Sequence, residues 1–244
     1  LYCILINDKL QEFDLGIQLS RQLHAPMILI DHAGEEQVQK NPFGIVPSIG
    51  PEVMSRSGDM NISVGSSVQA RSAANPRAIR MTIEPYVDTE KYSPDEKTIP
   101  LAIDNNTPAD LFHTFMEFAS KSGAVGLFNN EDKKSHEIMN RSKIFLATWA
   151  GLDIKTIEAM ASGCIVIAPN SPDIRGIIKH GETGFLYNTI DELQDLLKES
   201  LSIEGQEIGN AARQIVLDKY SDKSSFINKW NQVFSYISKV VFKL

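Results

Sequence analysis

The feature that most constrains this chain is a regular alternation of short β-branched runs with helical patterns. "CILI" (3–6), "PMILI" (26–30), "MNISV" (60–64) and "IRMTI" (79–83) read as strands. Between them, "EFDLGIQLSRQL" (12–23) spaces Leu15, Leu19 and Leu23 by four, as a helix does, and "SSVQARSAA" (66–74) reads as a short helix. Residues 33–50 carry Gly, Pro and Asn and read as loop. The segment 84–98 is polar with two prolines and reads as an interdomain connection. A second series follows. Its predicted strands are 99–103, 124–128, 143–148, 164–169 and 184–187, and its helices 108–121, 131–140, 154–161, a short one from Ser171 ended by Gly181, 190–201 and 207–220. Strand–helix alternation of this kind predicts parallel sheets with helices on both faces. Two series split by a Pro-rich connection predict two Rossmann-like halves. Ligands in such sheets bind beyond the carboxyl ends of strands, so functional residues are expected there.

Composition narrows the class. The 244 residues are 42% hydrophobic and 23% charged, enough to bury a core without staples. The net charge of -7 weakens the case for generic binding to a phosphate backbone. The two cysteines, Cys3 and Cys164, lie in apolar strand-like runs and read as buried thiols. No CxxC or His/Cys cluster is present, so a structural zinc is not expected. No apolar run reaches the length of a membrane span, and "LYCILI" lacks the charged flank of a signal peptide. A cytoplasmic, reducing location is the expectation. The sequence starts at Leu1 rather than Met, which raises the expectation of an upstream segment.

One stretch concentrates the chemistry: "TWAGLDIKTIEAMASGCIVIAP" (148–169). Residues 149–152 form a turn after a strand, Asp153 is a fair N-cap, and Gly163 is the helix stop. With Ile154 at zero degrees on the helical wheel, Ile157 and Ala161 fall within about 60° and Glu158 about 40° to the other side. Glu158 is therefore expected at the edge of the buried stripe, one turn into the helix. A helix N-terminus offers free N–H groups and partial positive charge to an anion. A Glu aligned with it can bond hydroxyls of a ligand whose phosphates sit there. The bland alternative is a solvated Glu, and spacing alone weighs the two about evenly.

The segment "GLDIKTIEAMASGCIVIAP…IIKHGETGFLY" resembles the donor-binding segment of family 4 glycosyltransferases of GT-B fold, the glycosyl transferases group 1. "APMILIDHAG", "GDMNISVGSSVQARS" and "MTIEPYVDTEKYSP" resemble further motifs of that family in the same order. The resemblance implies an α/β fold of two Rossmann-like halves of GT-B type, with a C-terminal helix crossing back. It implies a metal-independent, usually retaining transferase that moves a sugar from a nucleotide-sugar donor to a hydroxyl acceptor, with no cofactor. Glu158 matches the Glu that contacts the nucleotide's ribose. Gly151, Leu152 and Asp153 match the turn facing donor sugar and phosphates, and His32 matches a His near the reaction centre. Gly181 and Gly184 match turn glycines. From position alone, Lys155 and Thr156 add phosphate contacts.

Departures from the family pattern are specific. The carboxylate that reads donor-sugar hydroxyls falls on Ala150. The place of the diphosphate-neutralising Arg and Lys reads "AIDNNTPAD", with Asp104 and Asn105 and no basic residue. Pro85-Tyr86 stands where the linker motif has Pro-Asn-Gly, and the second half is one strand–helix unit short. The competing expectation is therefore a catalytically degenerate relative acting as a binding or assembly module. A variant within the enzyme class modifies an unusual acceptor such as modified DNA. The expected division is 1–90 as the acceptor-side half, truncated if an upstream segment exists, 91–222 as the donor-side half, and 223–244 as an amphipathic helix. That tail carries four lysines and no acid, with Phe226, Trp230, Phe234 and Ile237 at near-helical spacing. Packing across the two halves is its leading reading; a basic surface for a membrane or an acidic acceptor is the other. Partners stay open beyond the donor: an unidentified hydroxyl acceptor, a homodimer completing the shortened halves, and contact with a membrane or nucleic acid.

Overall fold

In the computed structural model, the described residues are 4–7, 18–19, 22, 27–32, 60–64, 79–104, 107, 109–122, 125–128, 135–148, 152–204 and 206–241. The chain divides into two compact units, crossing from the first to the second between Tyr86 and Val87 and returning to the first at Asp222.

The first unit holds β1 (Ile4–Asn7), β2 (Met27–His32), β3 (Met60–Val64) and β4 (Ile79–Ile83). They form a parallel sheet in the order β1-β2-β3-β4. β2 runs two residues beyond the run that predicted it, because Asp31 and His32 pair with Ser63 and Val64. Of the expected helix 12–23 only Gln18, Leu19 and Gln22 are described, all helical; the expected loop 33–50 and helix 66–74 lie outside the described residues.

The second unit carries β5 (Ile99–Asp104), α1 (Ala109–Ser122), β6 (Val125–Phe128), α2 (Ser135–Arg141), β7 (Ser142–Leu146), α3 (Ile154–Ala161), β8 (Ile165–Pro169), β9 (Phe185–Tyr187), α4 (Ile190–Ser202) and α5 (Glu207–Lys219). Its parallel sheet has the order β6-β5-β7-β8-β9. The predicted helix after Ser171 shrinks to one 3-10 turn, Ile174–Gly176, and β7 ends two residues before Thr148.

Side chains in this sheet alternate between two buried layers, as the period of two requires. Leu101, Ile103, Ile144, Leu146, Ile165 and Ile167 point to one face, where Leu111, Phe115, Leu193 and Leu197 cover them. Ala102, Phe145, Val166 and Ala168 point to the other, against Ile157, Met160, Ala212 and Val216. Burial on both faces explains why these strands read as unbroken apolar runs. Each buried Val, Leu, Ile, Phe or Met among them contributes about 1.5–3 kcal/mol on leaving water.

Residues 87–98 are irregular but fixed to the second unit. Val87 N–H donates to Tyr220 O (2.9 Å). Asn140 Nδ2 donates to Lys91 O (3.0 Å), and Asn140 Oδ1 accepts from Ser93 N–H (3.1 Å). The segment is anchored through its backbone groups, which Tyr220 and the Asn140 side chain satisfy.

The final helix, α6 (Lys223–Val241), belongs to the first unit and packs on β4. Lys229 pairs with Glu84 there, and Phe226 lies 6.1 Å from Tyr86, ring to ring. No helix among the described residues is long and apolar enough to cross a membrane. Cys164 is a buried free thiol, its ionisation pushed up to about 11 by burial; Cys3 lies outside the described residues.

Candidate functional site

The second sheet has one topological reversal. From β5 the chain moves outward to β6, then crosses back to β7 on the other side of β5 and proceeds to β8 and β9. Connections leaving β5 and β7 therefore diverge, and a crevice opens at the carboxyl ends of these two strands. α3 is the next helix along the chain after β7, so in this parallel sheet its start belongs to the carboxyl side of the reversal.

The helix begins where Asp153 makes it begin. Asp153 is extended (φ -103, ψ 165) and its Oδ1 accepts from Thr156 N–H at 2.7 Å. This satisfies one of the unpaired donors of the first turn. That turn carries no acidic residue, and it holds Lys155 and Thr156, both buried. The Thr156 hydroxyl has no hydrogen-bond partner among the described residues. Leu152, also buried, joins the apolar layer under the helix.

Glu158 sits one turn further on and is half-buried; Ile154, which the wheel put at the centre of the buried stripe, is exposed, so the stripe runs instead through Thr156, Ile157, Met160 and Ala161 and Glu158 lies on the less buried side with Ile154. It is not the solvated carboxylate of the bland alternative. Burial pushes its carboxyl up to about 7 against the pull of the nearby Tyr92 hydroxyl, of Lys91 and of Lys155, with Asp153 adding to the rise. Such a group changes charge near neutrality, which is common where a protein handles polar ligands.

The far end of α3 is held from several sides. Ser162 Oγ donates to Asn140 Oδ1 (2.8 Å). Lys97 Nζ donates to Ser162 O (2.6 Å) and Asn140 O (2.8 Å), so one cation closes the ends of two helices. Arg213 of α5 donates to Ala161 O, to Tyr92 O (2.9 Å) and to Thr89 O (3.3 Å). Gly163 takes φ 70, a left-handed value that glycine adopts without strain. α5 crosses so close that a Cβ on Gly209 would collide with the Gly163 carbonyl.

Of the residues singled out in the sequence, Leu152, Asp153, Lys155, Thr156 and Glu158 come together around the first two turns of α3. Gly151 and Ala150 lie outside the described residues. His32 is the last residue of β2, in the first unit, on the strand rather than after it. Sequence reasoning missed Tyr92, although it lies inside the quoted "MTIEPYVDTEKYSP". A tyrosine in place of a purely apolar ring was the available signal. Among the described residues no three His, Cys, Asp or Glu side chains gather as a metal-binding set.

This doubly wound arrangement is the GT-B type of α/β fold. HepE of Anabaena, solved in complex with UDP-glucose, matches with a TM-score of 0.66 at 14% identity, over 97% of this chain and 79% of that one. Sucrose-phosphate synthase from Thermosynechococcus elongatus matches with a TM-score of 0.69 at 13% identity, over 96% and 74% of the two chains. TarM of S. aureus matches with a TM-score of 0.54 at 15% identity, over 85% and 54%. In sequence, residues 119–202 match the family model of the glycosyl transferases group 1, a span that includes β7, α3 and Glu158. No curated protein matches the sequence significantly. The resemblance to a GT-B glycosyltransferase of group 1 thus rests on fold and on that segment.

Proposed function

We propose that this chain is a nucleotide-sugar-dependent glycosyltransferase that passes a sugar to a hydroxyl acceptor with retention at the anomeric carbon and without a metal. One observation carries the reading. The start of α3 stands at the sheet's topological reversal with Glu158 one turn in, inside the segment that matches the group 1 family. In this reading Glu158 takes the ribose hydroxyls. The 151–153 turn faces the sugar and phosphates, Lys155 and the Thr156 hydroxyl serve the phosphates, and His32 lies at the reaction centre. HepE was solved with UDP-glucose, which supports a nucleotide sugar as the partner. Titration with a panel of nucleotide sugars tests it. Wild type is expected to bind one of them and Glu158→Ala to lose most of that affinity; equal binding by the two proteins overturns the reading. Turnover of donor that disappears in His32→Ala would establish the catalytic half.

A second reading is a binding or assembly module that keeps the fold without transfer. Ala150 favours it, and so does the absence of a basic residue at 104–106. The Asp153 carboxylate at the positive end of α3 favours it too, since it stands where a diphosphate would. Without cationic donors the leaving diphosphate loses a large part of its stabilisation. Donor binding without donor hydrolysis, in the presence of candidate acceptors, would select this reading. Salt-dependent DNA binding would mark the modified-DNA variant.

A further inference from the structure

We propose that one flank of α6 is a surface that settles on a lipid bilayer carrying anionic headgroups. The inference does not rest on the donor-site reading. It concerns the C-terminal helix, which the proposed transfer leaves without a task.

The helix is three-sided. With Lys223 at zero degrees on the helical wheel, Ile227, Trp230 and Phe234 fall within about 40°, and Phe226 about 60° to one side. Further round on that same side come Val233, which is fully buried, and Lys229, which pairs with Glu84 just after β4. This is the side that packs on the sheet. The opposite flank carries Ser224, Asn228, Asn231 and Ser235, all exposed and none charged.

The row between these flanks is apolar and partly open. Phe226 and Trp230 meet edge to face with centroids 6.4 Å apart, and Trp230 stacks on Phe234 at 5.8 Å. Phe226 and Trp230 are half-buried, but Phe234 is 43% and Ile227 46% exposed. On the other helices an exposed large apolar side chain stands alone among the described residues, as Met116, Ile154 and Leu217 do. Single exposures of that kind are ordinary, and a contiguous row is not.

Charge decides what covers the row. The chain carries a net charge of -7, yet α6 contains no Asp or Glu and has Lys223, Lys229 and Lys239. Glu84 offsets Lys229. Lys223, at the head of the row, and Lys239, in the last turn, are exposed and pair with no acid among the described residues. A second copy would bring two acidic chains together. Anionic headgroups instead attract the lysines while the acyl boundary takes the rings. A helix with aromatic side chains along one side, lysines beside them and no acid lies in the plane of such an interface. α6 is not apolar enough to cross it. With so few lysines the attraction is weak and falls with ionic strength.

The experiment is pelleting of the full chain with vesicles of phosphatidylcholine alone or with about one-third phosphatidylglycerol added. The chain is expected to pellet with the anionic vesicles only, and high salt to release it. Ile227→Ser combined with Phe234→Ser should weaken binding about tenfold. Lys223→Gln combined with Lys239→Gln should remove the preference for anionic lipid. Tyr236→Ser is the control: Tyr236 is 44% exposed but stands about 140° from Lys223 on the wheel, off the row, so binding should be unchanged. Emission from Trp230, read in a Trp149→Phe background because these are the two tryptophans, is expected to be quenched by brominated lipid. That readout decides the matter even if the double Ser variant folds poorly. Equal pelleting with both kinds of vesicle, or with neither, overturns the proposal, and so does binding unchanged in the double Ser variant or Trp230 left unquenched. A wild-type dimer on a sizing column that the double Ser variant converts to monomer overturns it too, because the row is then an interface between copies.

Discussion

The two ends of α3, a helix of eight residues, differ in what the structure shows around them. At the carboxyl end, Asn140, Lys97, Arg213 and the Gly163–Gly209 contact all fix the same turn. At the amino end one side chain, Asp153, is seen to cap the helix, and the Thr156 hydroxyl is buried without a partner among the described residues. Glu158 lies between, one turn from the amino end and beside Tyr92. A binding site is accurate when its reacting groups sit on a rigid element, and the clamped carboxyl end makes α3 such an element.

Substitutions at the two ends should separate stability from binding. The largest loss of stability is expected from Gly209→Ala, whose Cβ would meet backbone rather than a movable side chain. A loss of about 2–3 kcal/mol in urea unfolding is predicted from overpacking of this kind. A variant as stable as wild type would break the picture of a clamped end. Glu158→Ala should act in the opposite sense, lowering nucleotide-sugar affinity by about ten- to a hundredfold, as for a lost charged hydrogen bond, with little change in unfolding. Calorimetric titration reads the first quantity and urea midpoints the second. Lys97→Met removes both carbonyl closures and should destabilise by about 1–2 kcal/mol while leaving affinity unchanged. A fall in affinity instead would show that the clamp belongs to the site. Asp153→Ala should have the smallest effect on stability, about 1 kcal/mol for a lost N-cap, and should strengthen binding of the anionic donor by removing a negative charge from the helix's positive end.

Titration of Glu158 gives a further way to sharpen the contrast. Its carboxyl is raised from 4.5 to about 7 in the folded protein. The native state therefore holds a proton that the unfolded chain releases between those values, so this group's contribution to stability is full below about 4.5 and is lost as pH rises through 7. Glu158→Gln should accordingly gain stability relative to wild type as pH is raised from 5 to 8. A pH-independent difference between the two unfolding midpoints would contradict the burial of Glu158.

Much of this architecture was legible in local pattern. β3 and β4 begin and end at the predicted residues, and α3 begins at Ile154 after the predicted Asp153 cap, because β-branched runs, cap residues and glycine stops act over a few residues. The helical wheel misplaced the buried stripe of α3, because Ile154 is exposed while Lys155 and Thr156 are buried, and which face is covered depends on what packs on it. Other features were not legible. β2 extends through His32 because of its pairing with β3, and pairing is a long-range fact. The short helix predicted after Ser171 reduces to a single 3-10 turn: Ser171 Oγ caps its start by accepting from Ile174 N–H, and past Gly176 the Lys179 N–H goes to Thr183 Oγ1 rather than to a helical carbonyl. The burial of Tyr92 was not legible because the residues that cover it, Met139, Ile157 and Val216 among them, are far along the chain.

The sequence by itself determined the alternating α/β class, the parallel sheets and the position of Glu158 on its helix, since each follows from periodicity and capping along the chain. Tertiary structure alone decided that the chain reverses between β5 and β7, that Arg213 and Lys97 reach back to the linker and the helix ends, and that Glu158 meets Tyr92. These depend on groups 43 to 124 residues apart for the two cations. A side chain's charge state and partner are set by what packs against it, and that is known only once the chain has closed on itself.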